Sequence, residues 1–442
     1  MENAIFEKLK ASLREFLQIP SVRGEAEEGA PCGVGVAKAL DYVTKLALSL
    51  GFESSKNVDG YIGYVDLGEG EDCFGILSHV DVVPPGEGWT RDPWGGEEID
   101  GKIYGRGALD DKGPTLSVLY AIHALLKDGY KPKKRIRVLF GCDEETGGKP
   151  KYCAWESIER YIESGEKLPD VGISPDADFP VINAEKGIAN LRLTCDAPNY
   201  LISALGGTAL NIVPNRSEFK IVNNGANFEN VEGVEVEKRK EYILLSGFGK
   251  NAHAAHADKG DNAIVKVISY LSRCYGGVMC EIENKLKDVF ASGLNCAISD
   301  DESGKLTQNV GKIELVDGKL NIYLNIRYPV TYSIETVVTR ISEAWSLGEV
   351  ELLRDQKPLY LPKDHYLVQT LLESYNSVTG ENAEPIAIGG GTYARSLPCG
   401  VAFGALFPNQ EDTMHSPDEH VDVDYLYKSC EIYYDALKKL CF

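Results

Sequence analysis

The segments FGILSHVD, Phe74 to Asp81, and GRGALDDKG, Gly105 to Gly113, decide how this chain is read. A short apolar run, FGIL, ends directly in Ser78-His79, and a Gly-rich approach delivers Asp110 and Asp111. Three further apolar runs end the same way: IRVLF before Cys142-Asp143-Glu144-Glu145, VGIS before Pro175-Asp176, and VAFGALF before the loop that reaches His415. Runs without polar alternation are the pattern of parallel strands covered on both faces. In open α/β sheets, sites form beyond the carboxyl ends of such strands, so four separated segments can converge at one edge. Helical patterns fit between them. TLSVLYAIHALLKDG follows Pro114, whose fixed φ suits a first helical turn, and Gly129 stops it.

Between about Gly187 and Leu353 the texture changes. NLRLTCD, EFKIVNN, YILLSGFG and the pair KIELV and LNIYLNIRY, joined by Asp317-Gly318-Lys319, read as antiparallel strands with at least one hairpin. Two amphipathic helices accompany them, one marked by Ile264, Val267, Ile268 and Leu271, the other by Ile334, Val337, Val338, Ile341 and Trp345. The expected fold is α/β: a doubly wound, mostly parallel sheet domain, residues 1–186 and 356–442, interrupted by a smaller α+β domain, residues 187–355.

A chain of 442 residues exceeds what one core usually supports, and 43% apolar residues suffice for two. Lys plus Arg total 46 against 67 Asp plus Glu, a formal charge of −21, which repels phosphate backbones and anionic lipid. Nucleic acid and membrane surfaces are therefore not expected partners. The opening MENAIFEKLKASLREFLQIP has no basic stretch followed by an apolar core, and Ile5, Phe6, Leu9, Leu13, Phe16 and Leu17 recur at helical spacing. The 11 cysteines form no CxxC pair, and several sit inside apolar runs, which suggests buried thiols in a reducing cytoplasm.

His79 and Asp81 stand two positions apart, so on an extended segment they face the same side. Asp81 can then bind metal itself or orient His79 through its other ring nitrogen. A divalent, zinc-like ion takes imidazole nitrogen and carboxylate oxygen together. Glu144-Glu145 adds adjacent carboxylates after a strand, with Gly147-Gly148 free to turn; one can ligate while the other serves as a base. Each feature alone also fits an acidic surface turn or a helix-start carboxylate. His123, inside a helical pattern, reads as a packing residue.

The longer runs SHVDVVP, GWTRDPW, DGKIYGRGALDDKGP, DEETGG, SPDADFPVINAEKG, GGTALNIVPN and EDTMHSPDE carry a resemblance. They resemble the dinuclear-metal exopeptidase family that includes carboxypeptidase G, acetylornithine deacetylase, succinyl-diaminopimelate desuccinylase, aminoacylase and carnosinase, and within it the bacterial dipeptidase V branch. The resemblance runs from the first helix to the last strand. It implies a zinc-binding α/β domain interrupted by a lid, with Asp110 bridging two metals, His79 and Asp176 completing one site, and Glu145 and His415 the other. It also implies that Asp81 orients His79 and that Glu144 is the free base. Two divalent ions, zinc first with manganese or cobalt compatible, would acidify a bridging water whose proton Glu144 takes and returns to the leaving amine.

On the same grounds His253, in the GKNAH motif, is expected to donate to the developing oxyanion. Asn211, Arg327 and the run Gly389, Gly390 and Gly391, the last read as part of the α/β domain, would hold substrate. A guanidinium pairs bidentately with a carboxylate, which suits Arg327 to the free carboxyl end of a dipeptide. The expected activity is hydrolysis of dipeptides with a free carboxylate, in the cytoplasm. The branch implies a monomer, while other members of the family pair through their lids. An N-acyl-amino-acid deacylase of the same mechanism is the neighbouring alternative, and a non-catalytic peptide-binding scaffold is the alternative of another class. No phosphate-cradling Gly-Lys-Ser/Thr loop supports a phosphoesterase.

Overall fold

The computed structural model describes residues 2–151 and 154–442, which form two compact units. The first comprises Met1–Asn183, Tyr360–Ile386 and Thr392–Phe442; the second comprises Ala184–Leu359 and Ala387–Gly391.

The first unit is built on a twisted sheet whose centre is parallel. Its strands run in the order Ser54–Val58, Ile62–Leu67, Arg135–Gly141, Cys73–His79, Val171–Ser174 and Cys399–Ala402, followed by the strand that begins at Ile182. The four from Arg135–Gly141 to Cys399–Ala402 are parallel neighbours, and the flanking pairs are antiparallel. Every residue of Cys73–His79 is buried, which explains why its sequence does not alternate. Phe74 and Ile76 pack into a large core with the helices Asn3–Leu17, Val34–Leu50, Lys112–Lys127, Tyr366–Thr379 and Val423–Cys441. Leu77, on the opposite face, joins Leu139, Tyr161 and Tyr393 in a smaller core. Fully burying one such aliphatic side chain contributes about 1.5–3 kcal/mol, so the two layers fix which strand ends meet at the sheet edge.

The helix Lys112–Lys127 starts directly after Asp110-Asp111 and ends before Gly129, which takes a φ of +84° that favours glycine. His123 Nδ1 lies 2.7 Å from the Leu50 carbonyl oxygen, the packing role its helical setting predicts.

The second unit carries an eight-stranded, wholly antiparallel sheet. Its strand Gly187–Asp196 alternates buried and half-buried positions, as expected with one face covered. The covering helices Ala263–Tyr275, Gly277–Leu286 and Ile334–Ala344 supply Ile264, Val267, Ile282, Val337 and Ile341 to a separate core. Thr307–Val316 and Lys319–Tyr328 form the expected hairpin, with Asp317 and Gly318 both at positive φ as a tight two-residue turn requires.

The short return segment Ala387–Gly391 groups with the second unit, whereas its place in the sequence predicts the α/β part. The reason is local bonding: Lys186 N–H donates to the Ile388 carbonyl at 3.0 Å, and Arg327 Nη1 donates to the Gly389 carbonyl at 2.8 Å. Five residues with three glycines carry no periodicity that could announce this.

Candidate metal centre

Parallel strands bring the expected ligands to one edge. Cys73–His79 ends on His79, Arg135–Gly141 leads into Glu144-Glu145, and Val171–Ser174 leads into Asp176. Two sets of donor atoms form there, His79 with Glu144 and Asp176, and Asp110 with Glu145 and His415; within each set the atoms lie no more than 4.8 Å apart. Asp110 reaches into both. Its Oδ1 is 3.0 Å from His79 Nε2 and its Oδ2 is 2.9 Å from His415 Nε2. His79 Nε2 also lies 3.5 Å from Asp176 Oδ2, and His415 Nε2 lies 3.2 Å from Glu145 Oε1. His79 is fully buried, while the His415 side chain is about half exposed, at 53%.

Burial raises the carboxyl groups here, and their neighbours decide how far. Glu144 is pushed well above the usual carboxylate range by burial and by Asp176, and Asp176 rises through burial and Asp110. Burial and Asp110 push Glu145 up to about 7 against the opposing pull of His415. Burial works against ionised Asp110 too, yet hydrogen bonds with His415 and His79 hold it well below that range. Hydrogen bonds to Asp110 and Glu145 push His415 up to about 11. Two imidazoles among this many carboxylates make a donor set that suits zinc, manganese or cobalt, so the residues present fit divalent metal.

Asp81 stands beside His79 and also reaches a second segment. His79 Nδ1 lies 2.9 Å from the Asp81 backbone oxygen and 3.5 Å from its carboxylate. The carboxylate oxygens instead accept from the backbone N–H groups of Glu144, at 3.1 Å, and Glu145, at 3.2 Å. Both oxygens thus also hold the turn that carries the two glutamates, while the Asp81 carbonyl and carboxylate flank His79 Nδ1. Asp111 accepts from the His79 N–H and the Thr115 hydroxyl, both at 3.1 Å, and stays behind the donor groups as a helix-start carboxylate.

Several supports of the segments around this centre were not singled out in the sequence. Trp155 Nε1 donates to the Glu144 carbonyl at 3.0 Å, and the Tyr393 hydroxyl donates to Asp143 at 3.1 Å. Glu419 is a further one. It follows His415 by four residues in EDTMHSPDEH, and only that nearness could have signalled it.

The other predicted residues meet inside the second unit. Asn211 accepts from the Ala254 N–H through its backbone, and His253, exposed, caps the short helix Ala254–Lys259 by accepting from the Ala255 N–H. Gly389 packs so closely that an added Cβ would lie 2.6 Å from the Ala255 Cβ, which leaves room for glycine alone. Gly390 and Gly391 follow it, half-buried. Arg327 is buried rather than solvated, with Nε donating to Asn325 Oδ1 at 2.8 Å and Nη1 to Gly389.

Residues 75–439 match the peptidase family M20/M25/M40. The chain belongs to this family. M20 membership agrees with the resemblance drawn from the motifs and with the α/β class. A relative from Bacillus subtilis (strain 168), named "Putative dipeptidase YtjP", is 38% identical over 464 residues, covering 98% of this chain and 97% of its own. One from Staphylococcus saprophyticus subsp. saprophyticus, "Putative dipeptidase SSP1012", is 36% identical over 472 residues, covering 100% and 97%. Among solved structures, human carnosine dipeptidase 1 aligns with a TM-score of 0.60 at 14% identity over 98% of this chain and 95% of its own. The Bacillus subtilis YXEP protein, described as a dinuclear metal binding peptidase from the M20 family, aligns at 0.57 and 10% identity over 99% of each. At these identities the structures speak for a shared M20 fold.

Proposed function

We propose that this M20 chain is a dipeptidase that holds two divalent metal ions, zinc foremost, and hydrolyses dipeptides with a free carboxylate. The observation that carries the reading is Asp110, whose Oδ2 lies beside His415 of its own donor set while its Oδ1 lies beside His79 of the other. His79 and Asp176 would hold one ion with it, Glu145 and His415 the other. When bound, such ions supply Lewis acidity that lowers the pKa of a water and polarises the peptide carbonyl. Glu144, whose carboxylate lies beside the His79 and Asp176 donor atoms but is left free in this assignment, is the base: it takes the proton of the attacking water and returns it to the leaving amine. Asp81 fixes the Glu144-Glu145 backbone through its carboxylate and His79 through its carbonyl.

The second unit is assigned the part of a lid. Arg327, held by Asn325 and by the glycine run, takes the substrate's carboxylate together with Asn211 and Gly389 to Gly391; His253 donates to the developing oxyanion. The names of the relatives, dipeptidases over nearly their full length, support the choice of substrate. No helix among the described residues is long and apolar enough to cross a membrane, and the ten described cysteines are free thiols, which suits the cytoplasm.

The test is a panel of dipeptides and N-acyl amino acids offered to the metal-loaded protein. Cleavage of the dipeptides is expected, and turnover confined to the acylated compounds would overturn the assignment in favour of a deacylase.

A further inference from the structure

The metal reading gives no part to Glu419, which is buried with its side chain 1% exposed. Accounting for the backbone N–H groups of Gly105 to Asp110 shows what it does. Arg106 N–H goes to Pro93, and Ala108 N–H to Gly105 within the loop. The other four all go to Glu419: Gly105 to its carbonyl at 2.9 Å, and Gly107, Leu109 and Asp110 to its Oε1 at 3.1, 2.9 and 3.3 Å. Its remaining oxygen, Oε2, accepts from Arg106 Nη1 at 2.5 Å.

Arg106 extends this anchor to a second segment. Its Nη2 donates to the Ser416 carbonyl at 3.2 Å, one residue beyond His415. His415 and Asp418 both hold positive φ, of 57° and 55°, a conformation that non-glycine residues keep only when their surroundings impose it. The geometry points to Glu419, with Arg106, as the positioning residue of the metal centre: it sets the backbone from which Asp110 reaches both donor sets, and ties that backbone to the loop bearing His415. This inference rests on the two-metal reading.

Removing the carboxylate would leave three buried N–H donors and a buried guanidinium without their partner, so the loop would relax and both ions would be held less well. Loss of groups that orient metal ligands typically weakens binding by about 10- to 100-fold. The experiment is competition for Zn²⁺ between the full-length protein and a chromophoric chelator, read alongside thermal unfolding. We expect Glu419→Ala to weaken zinc binding by about 100-fold and Glu419→Gln, which keeps one oxygen for the N–H groups, by about 10-fold. Glu166→Gln, remote from the centre in its bonding to Lys56 and Arg137, is the stability control and should lower the melting temperature with unchanged zinc affinity. Wild-type affinity in Glu419→Gln, or equal weakening in Glu166→Gln, would overturn the inference; if Glu419→Ala does not fold, the glutamine variant decides. A wild-type protein that takes up no divalent ion would instead overturn the metal reading itself.

Discussion

Arg137, inside the strand Arg135–Gly141, and Glu144-Glu145, just past its end, belong to clusters of different charge balance. Arg137 pairs bidentately with Asp66, with both contacts at 2.7 Å, and its Nη1 donates to Glu166 at 2.9 Å and to the Tyr161 hydroxyl at 2.6 Å. Lys56 completes the set on the other oxygen of Glu166 at 2.7 Å. Two cations therefore face two carboxylates, and although burial opposes ionisation, Lys56, Tyr64 and Arg137 hold Glu166 down at about 2. At the strand's end, Asp110, Glu144, Glu145 and Asp176 gather around His79 and His415. The first cluster is neutral by itself and acts as a staple. The second has more ligand charge than its own chain neutralises, the arrangement of a cation-binding site.

Variants can break that contrast from either side. The largest effect is expected from Glu144→Ala: turnover of a dipeptide falls by about 10²- to 10⁴-fold, while elemental analysis still finds the metals. A fully active variant would refute the base. Arg137→Met should do the reverse, costing about 3–5 kcal/mol in chemical denaturation by stranding Asp66 and leaving Glu166 to Lys56, with metal content intact.

Metal removal separates the clusters by linkage. Exhaustive chelation should lower stability by roughly 5 kcal/mol, about 2.7 kcal/mol for each of the two ions, relative to protein in zinc at about 100 times its Kd, and calorimetry should show full recovery when zinc is restored. The same step should leave the cost of Arg137→Met unchanged, because the two clusters share no partner. The smallest effect concerns pH. Glu166 has a folded pKa depressed to about 2, below the ordinary 4.5, so its contribution is present above about 4.5 and is lost as pH falls toward 2. Glu166→Gln should cost about 1 kcal/mol at pH 7, and the gap from wild type in denaturation midpoints should close across that acid window.

Much of this was legible because single segments carried it. FGILSH, VGISPDAD and the EE pair each joined a buried strand to reactive residues, so period and position sufficed to find the sheet edge. What sequence could not reveal was bonding between distant segments. The partners of the Asp81 carboxylate lie 63 and 64 residues away, and Glu419 meets Leu109 across 310. Nothing local marks such pairs. The segment Ala387–Gly391 likewise joins the second unit through Lys186 and Arg327, partners that no periodic pattern in a five-residue glycine-rich piece could name.

The most direct test of the account is the metal-to-protein ratio of wild type and Asp110→Ala after dialysis against limiting free zinc. Two ions per wild-type chain, and loss of both when the carboxylate placed between His79 and His415 is removed, are the predicted results. A variant that keeps both ions, or a wild-type chain that binds none, would contradict a centre bridged by Asp110.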